Sequence, residues 1–129
     1  VEDPRLPLLV GPTEDGEFIG TVNGAGRGSA AESGERSTLI PDQFYTSRQS
    51  PVLIATYFEQ KFIEAEAAFT IDKTRSYQAY HDGIRAHMEK VGVPAGEIEA
   101  YINNSQISMG EANFTIDDIF EEKWKAMLG

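Results

Sequence analysis

The sequence contains no cysteine and no long hydrophobic run, and it has few basic residues. Without cysteine there is no disulfide, no thiolate nucleophile and no zinc–thiolate site, so thiol chemistry does not indicate a cellular compartment. The longest weakly charged apolar stretch, residues 51–58, is far shorter than the roughly 20 residues that a membrane-spanning helix needs. The 11 basic residues face 21 acidic ones, for a net charge of −10. Phosphate backbones would be repelled, so no nucleic-acid partner is expected.

Glycine and proline are concentrated at the beginning of the chain. Residues 1–51 contain seven of the 12 glycines and five of the six prolines. Residues 20–37 show neither the period of a strand nor that of a helix, which indicates a loop. Two short apolar runs, residues 6–10 and 17–22, are candidates for short strands or extended arms. We therefore expect residues 1–51 to be a loop-rich segment that packs on or near a helical body.

From residue 52 onward, apolar residues recur every three or four positions, as on a helix with one buried face. The first two predicted helices cover residues 52–69, with Pro51 in the first turn, and residues 73–91. Asp72 is the candidate cap of the second helix, and Gly92 is its stop signal. Their short link favours an antiparallel pair. The apolar stripe of the first helix comprises Ile54, Phe58, Phe62, Ala65 and Phe69.

Two further helices complete the predicted body. A shorter one covers residues 94–104, and the last begins at Thr115, where Thr115 and Asp118 approximate a capping box. The apolar residues of the last helix include Ile119, Phe120 and Trp124. The sequence thus predicts a mostly α protein whose helical segment is residues 52–129.

Glu59 and Glu66 lie on one face of the first predicted helix, within about 20° of each other at 100° per residue. A partly buried pair of carboxylates would suit acid–base catalysis. Alternatively, the two acids tie this helix to a neighbour by hydrogen bonds to tyrosines, Arg85 or backbone donors, since buried carboxylates persist mainly when paired. We favour the second interpretation and expect no catalytic residue.

Other candidate chemical sites are weak. His81 and His87 are separated by about 120° around their helix and cannot share a metal without a third element. The glycine-rich residues 24–29 lack the Lys-Ser/Thr ending of a phosphate-binding loop, and no serine lies in a G-x-S-x-G turn. We expect no metal and no cofactor.

Residues 42–48 (DQFYTSR) combine aromatic and polar side chains just before the first predicted helix. Aromatic rings stack on the apolar face of a sugar, and planar polar groups bind its hydroxyls. The same residues, Phe44 above all, also suit packing against the helix pair. Long loops often carry binding sites, so Phe44, Tyr45 and Arg48 are the candidate ligand-binding residues.

Four stretches, in this order, resemble the SusD/RagB family of nutrient-binding outer-membrane lipoproteins. They are residues 2–5 (EDPR), residues 51–68 (PVLIATYFEQKFIEAEAA), residues 80–85 (YHDGIR) and residues 123–124 (KW). Glu122 stands where the family often has glutamine. Family members are several times longer and begin with a lipidated cysteine, so the chain is expected to be an internal fragment, one incomplete domain of a larger protein.

This resemblance implies a fold of tetratricopeptide-like helix pairs at the cell outer membrane, on its surface or periplasmic face. It implies binding of a glycan or another nutrient without catalysis, with delivery to a SusC-like TonB-dependent transporter. Contact with the membrane would be through a lipid anchor absent from this chain. Two alternatives remain: a helical protein-interaction scaffold without a small-molecule ligand, and a carboxylate hydrolase acting through Glu66.

Overall fold

The computed structural model describes residues 2–20, 35–43 and 45–128. Within these ranges the chain forms five helices and two short strands. They are α1 (Leu6–Leu9), β1 (Val10–Gly11), β2 (Thr38–Leu39), α2 (Tyr57–Ala68), α3 (Lys73–Val91), α4 (Ala95–Ile102) and α5 (Ile116–Ala126). The expectation of a mostly α protein is confirmed. The glycine-rich residues 24–29 lie outside the described residues.

Contacts divide the chain into two units. The helical unit comprises residues 1–4 and 51–129, and the loop unit comprises residues 5–50. Whether these units are the two segments of one incomplete domain stays a prediction.

The loop unit contains very little regular structure in its described residues. Residues 6–10 are one helical turn followed by a short strand, rather than an extended arm throughout. The turn forms because Pro7 favours helical backbone near a helix start and the Arg5 carbonyl accepts from the amides of Leu8 and Leu9. Strand β1 then pairs antiparallel with β2, with Val10 opposite Leu39.

The first long helix begins five residues later than the apolar spacing predicts. Thr56 has an extended backbone, and its hydroxyl accepts from the Glu59 amide at 3.2 Å. This N-cap satisfies a free amide of the first turn and sets the start of α2 at Tyr57. Pro51 therefore lies outside the helix, and Ile54, predicted in its buried stripe, is 95% exposed.

Helices α2 and α3 form an antiparallel pair. Phe58 contacts His87 with ring centroids 4.9 Å apart, and the Ser76 hydroxyl donates to the Ala65 carbonyl at 2.7 Å. The contacts thus run in opposite directions along the two helices. Between the two helices, the Phe62 ring of α2 faces Gly83 of α3. The packing is so close that a Cβ atom at position 83 would lie 3.1 Å from the ring.

The ends of α3 and the start of α5 agree with the sequence signals. The Asp72 carboxylate accepts from the Arg75 amide at 3.0 Å, and Gly92 ends α3 with a left-handed φ of 90°. Thr115 and Asp118 form the predicted capping box. Helix α4 is shorter than expected, because Pro94 precedes it as its N-cap residue and its last turn closes at Ile102.

The hydrophobic core of the described residues lies entirely in the helical unit. Its members are Phe58, Phe62, Ala65, Ala68, Ala79, Tyr80, Ile84, Met88, Val93, Ile98, Tyr101, Ile102, Ile107, Phe114, Ile119 and Ala126. None of the described helices is both long enough and apolar enough to cross a membrane.

The buried face of helix α5 is not the face that carries its aromatic residues. Phe120 and Trp124 are 48% and 66% exposed, whereas Glu122 is only 2% exposed. The carboxylate tolerates burial because it accepts hydrogen bonds from the Tyr101 hydroxyl at 2.8 Å and from Lys125 at 2.7 Å. Burial lowers the pKa of Lys125, but its hydrogen bonds to acidic side chains outweigh burial and raise that pKa overall.

Candidate ligand-binding sites

Hydrogen bonds of the Thr46 hydroxyl close a turn in the segment that carries the predicted binding residues. The hydroxyl donates to the Ile40 carbonyl and accepts from the Gln43 amide at 3.0 Å. The Gln43 carbonyl accepts from the amides of Thr46 and Ser47, both at 3.0 Å. Asp42 enters this turn with a left-handed φ of 55°, a conformation that aspartate tolerates better than most residues. Side-chain and backbone hydrogen bonds therefore define the turn.

The three predicted residues have different positions. Tyr45 is half-buried, and burial raises the pKa of its hydroxyl. Arg48 is exposed three residues further on. Phe44 lies outside the described residues. Exposure leaves Arg48 accessible to a ligand, whereas the burial of Tyr45 also fits the packing alternative, so ligand contact by these residues stays a prediction.

Sequence reasoning missed a depression along the α2–α3 pair, here called the hairpin groove. It has a volume of about 430 Å³. Its lining includes the polar side chains Gln60, Glu64, Asp72 and Arg75 and the exposed apolar side chains Ile63 and Ile71.

A second depression, here called the polar cleft, has a volume of about 250 Å³ and shares Glu64 and Arg75 with the hairpin groove. Glu64 accepts from Lys61 at 3.1 Å and from Arg75 at 2.8 Å, and Lys61 also lies 3.4 Å from Asp82. Hydrogen bonds from Arg75 and then Lys61 hold the pKa of Glu64 below its ordinary value. Gln78 also lines the cleft.

The sequence contains only part of the signal for these depressions. It shows that Gln60 and Glu64 lie off the apolar stripe of α2, and that Gln78 and Asp82 lie off that of α3. It does not show which polar side chains of one helix face those of the other, because that depends on the rotation of both helices within the pair.

Of Glu59 and Glu66, the two acids predicted to share a face of the first helix, Glu66 is tied to another helix. Glu66 forms an ion pair with Lys123, which joins α2 to α5. The bracing interpretation is confirmed for Glu66, although the expected partners were tyrosines, Arg85 or backbone donors. Arg85 is instead paired with Glu99, which joins α3 to α4.

One serine and one histidine of the described residues, Ser108 and His81, are in contact. The Ser108 hydroxyl donates to the Ile102 carbonyl at 2.7 Å and lies 3.1 Å from His81 Nε2. An activated serine would instead donate to the histidine. Burial lowers the pKa of His81, against a hydrogen bond to the Ile107 backbone that raises it.

The residues that the structure describes contain no group of three or more histidine or acidic side chains arranged to hold a metal ion. His87 is buried against Phe58 on the α2 side, whereas His81 contacts the link before α5. The two histidines therefore belong to different environments, as their spacing predicts.

Comparison with known families decides which class of protein carries this arrangement. The family model of SusD-like proteins described as "Starch-binding associating with outer membrane" matches residues 1–128. The chain belongs to the SusD-like family. None of the curated proteins compared with it matches the chain.

The SusD-like match covers the loop unit and the helical unit alike, so the resemblance noted in the four sequence stretches is confirmed. The mostly helical architecture agrees with it. The family is described as a binding family associated with the outer membrane. That description names starch but assigns no residue of this chain to ligand contact.

Proposed function

We propose that this SusD-like protein binds neutral glycans at the outer membrane and delivers them, unmodified, to a SusC-like TonB-dependent transporter. The observation that carries this proposal is the family match over residues 1–128, whose description is starch-binding and outer-membrane association. The net charge of −10 is consistent with uncharged sugars, because acidic polysaccharides would be repelled.

Binding without catalysis is supported by the state of the candidate reactive groups. Glu66 is held by Lys123, and Ser108 directs its proton at a backbone carbonyl. The antiparallel α2–α3 pair supports the proposed tetratricopeptide-like arrangement, in which helix pairs form a rigid frame and loops contact the ligand.

In this proposal the loop site comprises Phe44, Tyr45 and Arg48. Arg48 is exposed and offers five N–H donors for sugar hydroxyls. Tyr45 offers a partly exposed ring for stacking, on a turn that Thr46 holds closed. A site of this kind needs no metal and no cofactor.

Calorimetric titration of the chain with maltoheptaose, an α-linked glucan as in starch, tests the function. Cellohexaose is the matched control, since it has the same sugar in β linkage. We expect saturable binding of maltoheptaose. Arg48→Ala should weaken it about tenfold, the loss of roughly 1.4 kcal/mol, while Lys73→Ala, which removes an exposed cation outside the loop, should not. Absence of binding to both glucans and to other neutral oligosaccharides would contradict the proposal.

The delivery step is tested with a purified SusC-like transporter on a biosensor surface. The exposed apolar residues of α5, Phe120 and Trp124, favour the second candidate function, a protein-interaction scaffold. Transporter binding together with glucan binding supports delivery. Transporter binding that Trp124→Ser abolishes, in a chain that binds no glycan, would favour the scaffold.

A further inference from the structure

The hairpin groove and the polar cleft adjoin each other, because Glu64 and Arg75 line both, and the two together are here called the depression. The groove alone has the size of a small-molecule site, for which roughly 300–1,000 Å³ is usual. Its walls are two helices held together by the closely packed Phe62 and Gly83. Polar groups on rigid helices keep their spacing, which a site for a specific ligand requires.

The polar lining offers both kinds of hydrogen-bonding group. The amides of Gln60 and Gln78 each donate and accept, the carboxylate of Asp82 accepts, and the guanidinium of Arg75 has N–H groups beyond those directed at Glu64. A sugar hydroxyl also donates and accepts. A lining of donors alone or acceptors alone would not satisfy it.

The charges of the depression disfavour an anionic ligand. The carboxylate of Glu64 is neutralised by Lys61 and Arg75, and Lys61 also lies near Asp82. An anionic ligand would have to displace a carboxylate from its cation, and it would also meet the carboxylate of Asp72 in the groove. A neutral ligand that is rich in hydroxyls can hydrogen-bond to the paired groups without separating them.

The groove also has apolar surface at its edge. Ile63 and Ile71 are 52% and 86% exposed there. Pyranose rings carry C–H groups on one face and hydroxyls around the rim, so a polar wall beside an apolar surface matches both parts. Burial of these isoleucines by a ligand removes apolar area from water.

We propose that this depression on the α2–α3 pair is a second glycan subsite, which binds two or more units of a neutral oligosaccharide. Gln60 and Gln78 act as hydroxyl-binding residues, and the Glu64–Arg75 ion pair lines both parts of the subsite. This inference rests on the proposed glycan-binding function but is independent of the loop residues Tyr45 and Arg48.

The test uses Gln60→Ala and Gln78→Ala in the full chain, titrated with maltoheptaose by calorimetry. These substitutions leave the ion pairs intact, so the fold is retained, and thermal melting checks this. Gln106→Ala is the matched control, because it removes an exposed amide from the link between α4 and α5. We expect each groove variant to raise Kd about five- to tenfold and the control to leave it unchanged.

The outcomes separate the subsite from the function as a whole. If the chain binds maltoheptaose and both groove variants bind as tightly as the unsubstituted chain, the subsite is wrong while glycan binding stands. If Gln106→Ala weakens binding as much as the groove variants, the effect is not local and the subsite is equally wrong. If the unsubstituted chain binds no neutral oligosaccharide, the proposed function fails and the subsite fails with it.

Discussion

The helical unit and the loop unit are held together by different interactions. Every buried hydrophobic side chain among the described residues belongs to the helical unit, between residues 58 and 126. In the described part of residues 5–50, the ordering contacts are instead hydrogen bonds to the backbone, such as those of Thr46, and the two-residue pairing of β1 with β2. Apolar packing therefore sets the stability of the helical unit, whereas local polar contacts set the shape of the loops.

Phe62→Ala should produce the largest loss of stability. The ring is fully buried between α2 and α3, and emptying such a site costs about 3–5 kcal/mol. Urea unfolding followed by circular dichroism measures the change. Ile54→Ala is the control, since Ile54 is 95% exposed despite its helical spacing, and it should change stability by less than about 0.5 kcal/mol. Equal losses would mean that the core is misplaced.

Glycine-to-alanine substitutions at two helical positions should have opposite signs. Gly83→Ala places a methyl group 3.1 Å from the Phe62 ring, and overpacking of this kind costs about 1–3 kcal/mol. At Gly96, in α4, an added Cβ meets nothing within 4 Å, so alanine should stabilise by about 0.4–1 kcal/mol. The melting temperatures of the two variants give the comparison. A stabilising Gly83→Ala would show that α2 and α3 are not closely packed there.

His81 should contribute to the pH dependence of the free energy of unfolding, with an effect smaller than those of the substitutions above. Burial holds its pKa in the folded chain below the ordinary 6.5, so the unfolded chain binds the proton more readily. This contribution is complete above pH 6.5 and is lost as the pH falls through the folded-state pKa. Asp82 and Arg85 are the charged groups nearby, and they act on the pKa in opposite directions.

His81→Gln tests this contribution, because the glutamine amide can hydrogen-bond to Ser108 but does not titrate. Urea midpoints are compared at pH 7.5 and pH 5.5 for both proteins. The urea midpoint should change less between the two pH values in the variant than in the unsubstituted chain. An equal change in both proteins would assign the acid sensitivity to other groups.

Thr46→Val should have the smallest effect on the free energy of global unfolding, but it should loosen the turn locally. It removes the hydroxyl that holds the turn closed, at a net cost of about 0.5–1.5 kcal/mol to the local structure. Hydrogen exchange should quicken at the amides of Gln43 and Ser47. Exchange in α2 and α3 should not change, and if it quickened equally, the two units would not be stabilised separately.

The sequence predicted most of the helical frame because its signals are local. Asp72, Gly92 and Thr115 act within one turn of the helix ends that they define, and the structure confirms all three. Reliance on a local signal also explains why the start of α2 was predicted wrongly. Apolar spacing extended the helix back to residue 52, whereas the cap at Thr56 decided where it begins.

The candidate sites were less predictable because they depend on contacts distant in sequence. Burial of Glu122 requires Tyr101, which is 21 residues away, and the polar cleft requires α2 and α3 to face each other at one rotation. Composition alone suggested residues 42–48 as a loop site. It gave no indication that polar residues of the first two long helices would line two adjoining depressions.

A nuclear magnetic resonance titration of the isotope-labelled chain with maltoheptaose tests whether the chain is a glycan receptor. The account predicts saturable shift changes at the side-chain amides of Gln60 and Gln78 and at the backbone around Arg48. It predicts little change at Phe62 or along the buried face of α5. No saturable shifts with any neutral glucan, or shifts confined to Phe120 and Trp124, would contradict a glycan receptor built on this helical frame.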